Sequence, residues 1–296
     1  MLYRCRRPPG RPGRGAGVTE PAPADLLGLA CSAAVAAAGL LGSQRGRPEV
    51  VETKLSPTDV VTKMDRAAEE LIRERILAER PGDAILGEEG GQVGQVAAAG
   101  ADAGVRWIVD PLDGTVNYLY GLPDWSVSIA AELHGTVVAG VVCVPRRDSL
   151  YSAVLGGGAW LRPVAGTAAP RRLRCNADVP LSEALVATGF GYQARRRRVQ
   201  GQVVSGVLPR VRDIRRGGAC SVDLCSLAGG QVDGYYERGV QYWDIAAGGL
   251  IASEAGARVA GLSGRPAGPS MTVAAGPAVF SALQDLLVSL DAERDE

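Results

Sequence analysis

Two aspartates occur at the end of an apolar run, in the segment WIVDPLDGT at positions 107–115. Asp110 and Asp113 are three positions apart, and Gly114 and Thr115 follow directly. A buried strand that ends in two carboxylates can hold a hard cation, because oxygen atoms are the ligands that Mg²⁺ takes. The backbone N–H groups after Gly114 can meet a phosphate where the chain turns into a helix. The segment therefore predicts a cation site beside a phosphate site.

Two further acidic segments strengthen this prediction. Glu88 lies in GEEG at positions 87–90, and Asp244 lies in WDIAAG at positions 243–248. Single residues have structural alternatives. Asp244 could merely cap a helix, and Asp110, which precedes Pro111, could merely form a turn. Together and in this order, the acidic segments favour metal ligation.

Length and charge limit the class of protein. With 296 residues the chain can bury a sizeable core, as one large domain or as two closely packed halves. The net charge is zero, but positions 1–18 carry five arginines and no acidic residue, so the remainder is near −5. A neutral to acidic body offers no footprint for general nucleic-acid binding.

Cysteine and histidine usage exclude several kinds of site. The six cysteines form no CxxC pair, which is typical of reduced thiols in a cytoplasmic protein. His134 is the only histidine, so a Ser-His-Asp triad or a histidine-rich zinc site is excluded in practice. It precedes Gly135 between two apolar runs, which predicts a solvent-facing hairpin residue.

The N-terminal segment raises the question of a targeting sequence. Residues 1–24 are rich in Arg, Pro and Gly, which predicts a disordered tail. The apolar run at 26–41 is separated from the arginines by Glu20 and Asp25 and is short for a membrane span. We therefore expect no membrane association but a buried first helix, with Asp25 as its N-cap.

Apolar periodicity predicts a mixed α/β chain in two halves, 25–160 and 165–292. An extended connector is expected at 48–57 and a loop at 91–105. Further helices are expected at 65–79, 199–210, 221–228, 244–254 and 278–290. Strands are expected at 84–86, 106–110, 125–133, 136–144, 149–155, 185–188, 213–215, 232–237 and 271–275.

Five segments in order carry a resemblance to a known family. They are KLSPTDVVTKMD at 54–65, GEEG at 87–90, DPLDGT at 110–115, YYERG at 235–239 and WDIAAG at 243–248. From about Asp25 onward the chain resembles the inositol monophosphatase family of Mg²⁺-dependent, lithium-sensitive phosphatases, and its bacterial branch in particular. The resemblance implies a layered α/β/α/β/α sandwich of the inositol monophosphatase and fructose-bisphosphatase type, a site between the two halves, and a homodimer.

The resemblance also implies two or three Mg²⁺ ions. Asp110 would bridge two of them, with Asp113 and Asp244 completing one shell and Glu88 and the Leu112 carbonyl completing the other. Hydrolysis of a phosphate monoester needs charge neutralisation, an activated water and a stabilised leaving oxygen, which a metal pair can supply.

The implied catalytic residues are Thr115, Asp65 and Glu88. Thr115 would be hydrogen bonded to Asp65 and would position or relay a proton of the metal-activated water. The alternative for Asp65 is an exposed acid in the first turn of a helix. Lys54 would balance the carboxylate charge, or it is an ordinary surface lysine.

Five residues are implied in substrate binding: Gly114, Thr115, Glu237, Cys220 and Asp223. Glu237 would accept hydrogen bonds from polyol hydroxyls; the alternative is that it only pairs with Arg238 or a partner subunit. Asp223 would contact substrate or anchor its helix. Relatives carry a small hydroxyl residue and then alanines where this chain has Ala219-Cys220-Ser221, which leaves the substrate preference open.

The function expected from these residues is hydrolysis of inositol 1-phosphate to inositol and phosphate in the cytoplasm. The small-molecule alternatives are histidinol phosphate, nucleotide 3′-phosphates and fructose 1,6-bisphosphate, because the metal core is shared. The alternative of another class is a regulatory or RNA-associated protein that keeps the fold.

Overall fold

The computed structural model describes residues 20–44, 49–53, 60–94 and 104–295. Its α-helices in these ranges are α1 Pro23–Ser43, α2 Lys63–Glu79, α3 Thr115–Leu119, α4 Ala194–Val207, α5 Cys220–Ala228, α6 Tyr242–Glu254 and α7 Pro277–Ser289. The strands up to residue 172 are β1 Val50–Thr53, β2 Val60–Thr62, β3 Ala84–Gly87, β4 Gly91–Val93, β5 Arg106–Asp113, β6 Ser126–Leu133, β7 Thr136–Val144, β8 Ser149–Val154, β9 Gly158–Arg162 and β10 Arg171–Arg172. The later strands are β11 Leu185–Thr188, β12 Asp213–Arg215, β13 Gly234–Glu237, β14 Arg258–Ala260 and β15 Thr272–Ala275.

Two sheets organise the described part of the chain, apart from the small β1–β2 hairpin. The N-terminal sheet has the strand order β10-β9-β8-β7-β6-β5-β3-β4 and is antiparallel except where β3 runs parallel to β5. The C-terminal sheet has the order β12-β11-β13-β15-β14, with β11 parallel to both of its neighbours. The predicted meander of β6, β7 and β8 is present.

The described chain forms five layers, and four apolar clusters fill the spaces between them. Helices α1 and α2 cover one face of the N-terminal sheet, and α5 and α6 cover its other face. The opposite side of α5 and α6 packs on the C-terminal sheet, whose outer face is covered by α4 and α7. This is the layered α/β/α/β/α sandwich predicted above, and the α5–α6 pair is the layer that joins its halves.

Small residues allow that central layer to pack closely. A Cβ atom on Gly140 of β7 would lie 3.0 Å from the Cα of Ala247, and one on Gly248 would lie 3.0 Å from the Leu224 side chain. Backbone approach at this distance requires residues without bulky side chains. The AAGG run of α6 therefore lets this helix lie close to β7 on one side and to α5 on the other.

The first helix differs from the prediction in its cap. It begins at Pro23 with Ala22 as the N-cap, and Asp25 lies in the first turn without capping it. Proline suits this position because it lacks the N–H that a first turn leaves unpaired. By length and composition α1 could cross a membrane, yet eight of its residues are buried in the protein's own core.

Several boundaries also differ from the predictions. Strand β5 continues through Asp113 with an irregular register after Asp110, and α4 begins at Ala194 rather than at 199. The predicted loop at 91–105 contains β4, and the short strands β9, β10 and β14 were not predicted. Residues 1–19 and Lys54 lie outside the described residues, so the disordered tail and the role of Lys54 remain predictions.

Candidate active site

Asp110 and Asp113 are buried at the irregular end of β5. The Leu112 N–H donates to Asp110 Oδ1 at 3.0 Å, which closes the turn locally. Asp113 Oδ2 accepts from the Ser221 N–H at 2.7 Å and from the Ser221 hydroxyl at 2.5 Å. Because Ser221 lies in the first turn of α5, this contact ties the two halves of the molecule together at the site.

Glu69 is a site residue that the sequence analysis missed. Its buried carboxylate accepts from the Glu89 N–H at 2.8 Å and from the Gly90 N–H at 2.9 Å, and it forms an ion pair with Arg73 at 2.8 Å. These bonds fix the loop that carries Glu88, whose own N–H donates to the Val109 carbonyl. Helical spacing from Asp65 to Glu69 offered the signal, since residues four apart share one helix face.

Asp244 lies at the start of α6, close to other carboxylates. It is the third residue of α6, and its Oδ2 accepts from the Gln241 N–H at 2.6 Å in a capping box. Burial and the nearby carboxylates of Glu88 and Asp113 raise its pKa well above the usual range. It therefore caps its helix and also belongs to a group of four carboxylates, Glu88, Asp110, Asp113 and Asp244, which we call the acidic cluster.

The carboxylates of the acidic cluster are close enough to repel one another. Burial first, and then Glu88, Asp113 and Asp244, raise the pKa of Asp110 well above its usual range. Burial raises the pKa of Asp113 to about 6, although its hydrogen bonds from Ser221 act in the opposite direction. Mutually repelling buried carboxylates made only of hard oxygen donors fit a divalent cation such as Mg²⁺.

The oxygen atoms of the candidate ligands do not form a complete coordination shell. Within the described ranges, no three Asp, Glu, His or Cys side chains are grouped closely enough to enclose a metal. The Leu112 carbonyl, a predicted ligand, accepts the Thr115 hydroxyl at 3.1 Å. A cation would have to draw these oxygens together.

Asp65 and Thr115 meet as predicted. The Thr115 hydroxyl lies 3.2 Å from Asp65 Oδ1, while Asp65 Oδ2 accepts from the Thr62 N–H at 2.9 Å and the Thr62 hydroxyl at 2.5 Å. The alternative of an exposed acid is wrong, because Asp65 is only 2% exposed even though it completes the capping box of α2. Burial raises its pKa despite these hydrogen bonds.

Glu237 is half-buried at the end of β13. Its Oε2 accepts the Tyr235 hydroxyl at 2.9 Å, and burial raises its pKa to about 7. Arg238 is engaged elsewhere, by the Arg294 carbonyl and by Asp295 at 2.5 Å. The structure therefore gives no support to the alternative that Glu237 only pairs with Arg238.

Cys220 and Asp223 lie on the first turn of α5, facing Glu237. Burial keeps the pKa of the Cys220 thiol well above the usual range, so it stays protonated. Asp223 is 7% exposed, and its Oδ2 has no hydrogen-bond partner in the part of the chain that the structure describes. Substrate contact by Asp223 remains a prediction.

Gly114 and Asn117 shape the turn after the two aspartates. Gly114 has φ 88°, and a Cβ there would lie 2.9 Å from the Asp124 carbonyl, so this position requires glycine. Asn117, a second residue that the sequence analysis missed, donates to the carbonyls of Asp124 at 2.6 Å and Gly217 at 3.0 Å. It links this turn to the loop that precedes α5.

Comparisons with known proteins agree with one another. Residues 23–293 match the sequence model described as the inositol monophosphatase family. The inositol-1-monophosphatase SuhB of Mycobacterium tuberculosis is 48% identical over 234 residues, which is 79% of each chain. A protein of Pasteurella multocida named Nus factor SuhB is 39% identical over 81% of this chain and 86% of its own. The solved structure of Mycobacterium tuberculosis SuhB superposes with a TM-score of 0.74 at 40% identity, covering 92% of this chain and 99% of that one.

Proposed function

The chain belongs to the inositol monophosphatase family, and on that premise we propose that it hydrolyses inositol 1-phosphate to inositol and phosphate. The family, the layered fold and the class of phosphoric monoester hydrolase agree with the predictions from sequence. The observation that supports this substrate is Glu237, a carboxylate that the Tyr235 hydroxyl holds near Asp113 and Asp244. A carboxylate accepts hydrogen bonds from hydroxyl groups and repels a second phosphate, so it favours a polyol monophosphate.

The proposed metal ligands are the carboxylates of Glu88, Asp110, Asp113 and Asp244 and the carbonyl of Leu112. When bound, two or three Mg²⁺ ions would neutralise phosphoryl charge and acidify a water molecule. Sensitivity to lithium is part of the proposal, as the family resemblance implies.

The chain's own groups account for orientation and proton movement in this proposal. The Thr115 hydroxyl, held between Asp65 and the Leu112 carbonyl, orients the attacking water and can pass a proton to Asp65. The N–H groups of Gly114 and Thr115, at the start of α3, are the proposed donors to phosphate oxygens. Glu237, Cys220 and Asp223 form the wall that faces the alcohol part of the substrate.

A phosphate-release panel tests the substrate. We expect the highest kcat/KM for inositol 1-phosphate, and lower values for histidinol phosphate, a nucleotide 3′-phosphate and fructose 1,6-bisphosphate. Glu237→Gln should raise the KM for inositol 1-phosphate about tenfold, because a hydrogen bond to a charged group contributes about 1.5–3 kcal/mol. Phenyl phosphate, which has no alcohol hydroxyl, is the control substrate. Equal losses for both substrates would contradict the assignment.

A regulatory or RNA-associated role is the second candidate, supported by the relative named Nus factor SuhB. An Asp110→Asn variant separates the two, because it should abolish hydrolysis and leave a binding function intact. We also propose a homodimer working in the cytoplasm. The described cysteines are free thiols, which is consistent with a reducing compartment.

A further inference from the structure

Two residues contact the Glu237 carboxylate. The Tyr235 hydroxyl donates to Oε2 at 2.9 Å. A Cβ on Gly189 would lie 2.0 Å from Oε2 and 2.2 Å from Oε1, so the carboxylate rests directly on the backbone there. We call this pair, Tyr235 and Gly189, the Glu237 seat.

The register of the C-terminal sheet fixes the tyrosine of this seat. Tyr235 pairs with Ala187 of β11 and with Ala274 of β15, and these small residues leave room for its ring. The ring is fully buried in the cluster between the sheet and α5–α6. Because Tyr235 and Glu237 are two residues apart on one strand, both side chains leave the same face of the sheet.

This arrangement fixes the orientation of the carboxylate. Tyr235 holds Oε2 by its hydrogen bond, and the backbone at Gly189 lies directly against both carboxylate oxygens, so the two residues together set how Glu237 meets a substrate hydroxyl. We infer that the Glu237 seat sets the preference of the enzyme for a polyol phosphate over a simple phosphate ester. This inference rests on the function proposed above. Tyr235 touches Glu237 and not the reacting atoms, so it is a positioning residue.

Tyr235→Phe tests the inference, with Tyr236→Phe as the matched control. The Tyr236 hydroxyl is also buried, but it points to the opposite face of β13 and has no hydrogen-bond partner among the described residues. We expect Tyr235→Phe to raise the KM for inositol 1-phosphate about threefold to tenfold at nearly unchanged kcat, since one hydrogen bond contributes about 0.5–1.5 kcal/mol. The KM for phenyl phosphate should hardly change, and Tyr236→Phe should alter neither KM.

A double-mutant cycle separates positioning from general stability. In a Glu237→Gln background, Tyr235→Phe should have no further effect on the KM for inositol 1-phosphate. Equal loss on both substrates, or the same loss in both backgrounds, would overturn the inference. If Tyr235→Phe fails to fold, Gly189→Ala replaces it, because the added methyl group displaces the Glu237 carboxylate from the backbone. An unchanged ratio of the KM values for inositol 1-phosphate and phenyl phosphate in that variant also overturns the inference.

Failure of the proposed function has a different signature. A wild-type enzyme that shows no preference for inositol 1-phosphate over phenyl phosphate would remove the polyol assignment itself. A wild-type preference that survives both seat variants would instead leave the assignment standing and remove the role of the seat.

Discussion

The carboxylate of Glu69 gives the most direct test of how this site is held together. Glu69→Gln keeps the shape of the side chain and removes its charge. The carboxylate receives two backbone N–H donors and the Arg73 guanidinium, and it is buried. An amide has one acceptor oxygen, so at least one backbone N–H loses its acceptor, and the guanidinium loses its charged partner.

The lost interactions determine the expected decrease in unfolding free energy. Removing one partner of a buried ion pair costs about 3–5 kcal/mol, and the retained amide oxygen places this case near the lower end, at roughly 3 kcal/mol. For a protein of this size, such a loss of unfolding free energy lowers the Tm by roughly 6–12 °C. We also expect weaker Mg²⁺ binding, because the loop at 87–90 carries Glu88.

Thermal unfolding and titration calorimetry with Mg²⁺ measure these two effects. Glu70→Gln is the matched control, because Glu70 is the neighbouring residue on α2 and is exposed. Its unfolding free energy should stay within about 0.5 kcal/mol of the wild-type value. Equal Tm and equal Mg²⁺ affinity in the two variants would refute the assignment of Glu69 as the residue that fixes this loop.

The proposed metal ligands and the buried carboxylates give three further predictions. Excess EDTA should abolish phosphate release, and added Mg²⁺ should restore it. Ca²⁺ should inhibit, because its coordination geometry is looser than that of Mg²⁺. Full activity in EDTA would contradict the proposed metal site. Asp110→Asn should lower kcat more than tenfold, at least ~1.4 kcal/mol of transition-state stabilisation, while exposed Asp285→Asn should not. In metal-free protein, the pKa values of about 6 for Asp113 and about 7 for Glu237 exceed the unfolded values of about 4. Unfolding therefore releases protons, and the unfolding free energy should fall from about pH 4 to pH 7. Urea unfolding in EDTA at several pH values measures this slope, and a rising slope would be the contrary result.

Much of the fold was predictable because its elements carry their own signals. The strands of the meander and the strand Leu185–Thr188 were predicted almost to the residue. Apolar periodicity and turn residues are local properties, so the sequence displays them directly. Two of the missed strands, Arg171–Arg172 and Arg258–Ala260, are short edge strands whose existence depends on a neighbouring strand and not on their own pattern.

The candidate ligands were predictable for a similar reason. Chemistry requires particular residue types, and Asp110, Asp113 and Asp244 are acidic residues at the end of a strand or the start of a helix. The pairing of Thr115 with Asp65, 50 positions away, came from the family resemblance, since spacing alone says nothing about such a contact.

Tertiary structure alone decided which residues support these groups. Ser221 reaches Asp113 across 108 positions, and Glu69 reaches Gly90 across 21. Any donor or acceptor in the right place can perform such a task, so residue type carries little signal. Whether two groups meet depends on strand register and on the closeness of helix packing, and these distances exist only once the five layers have assembled.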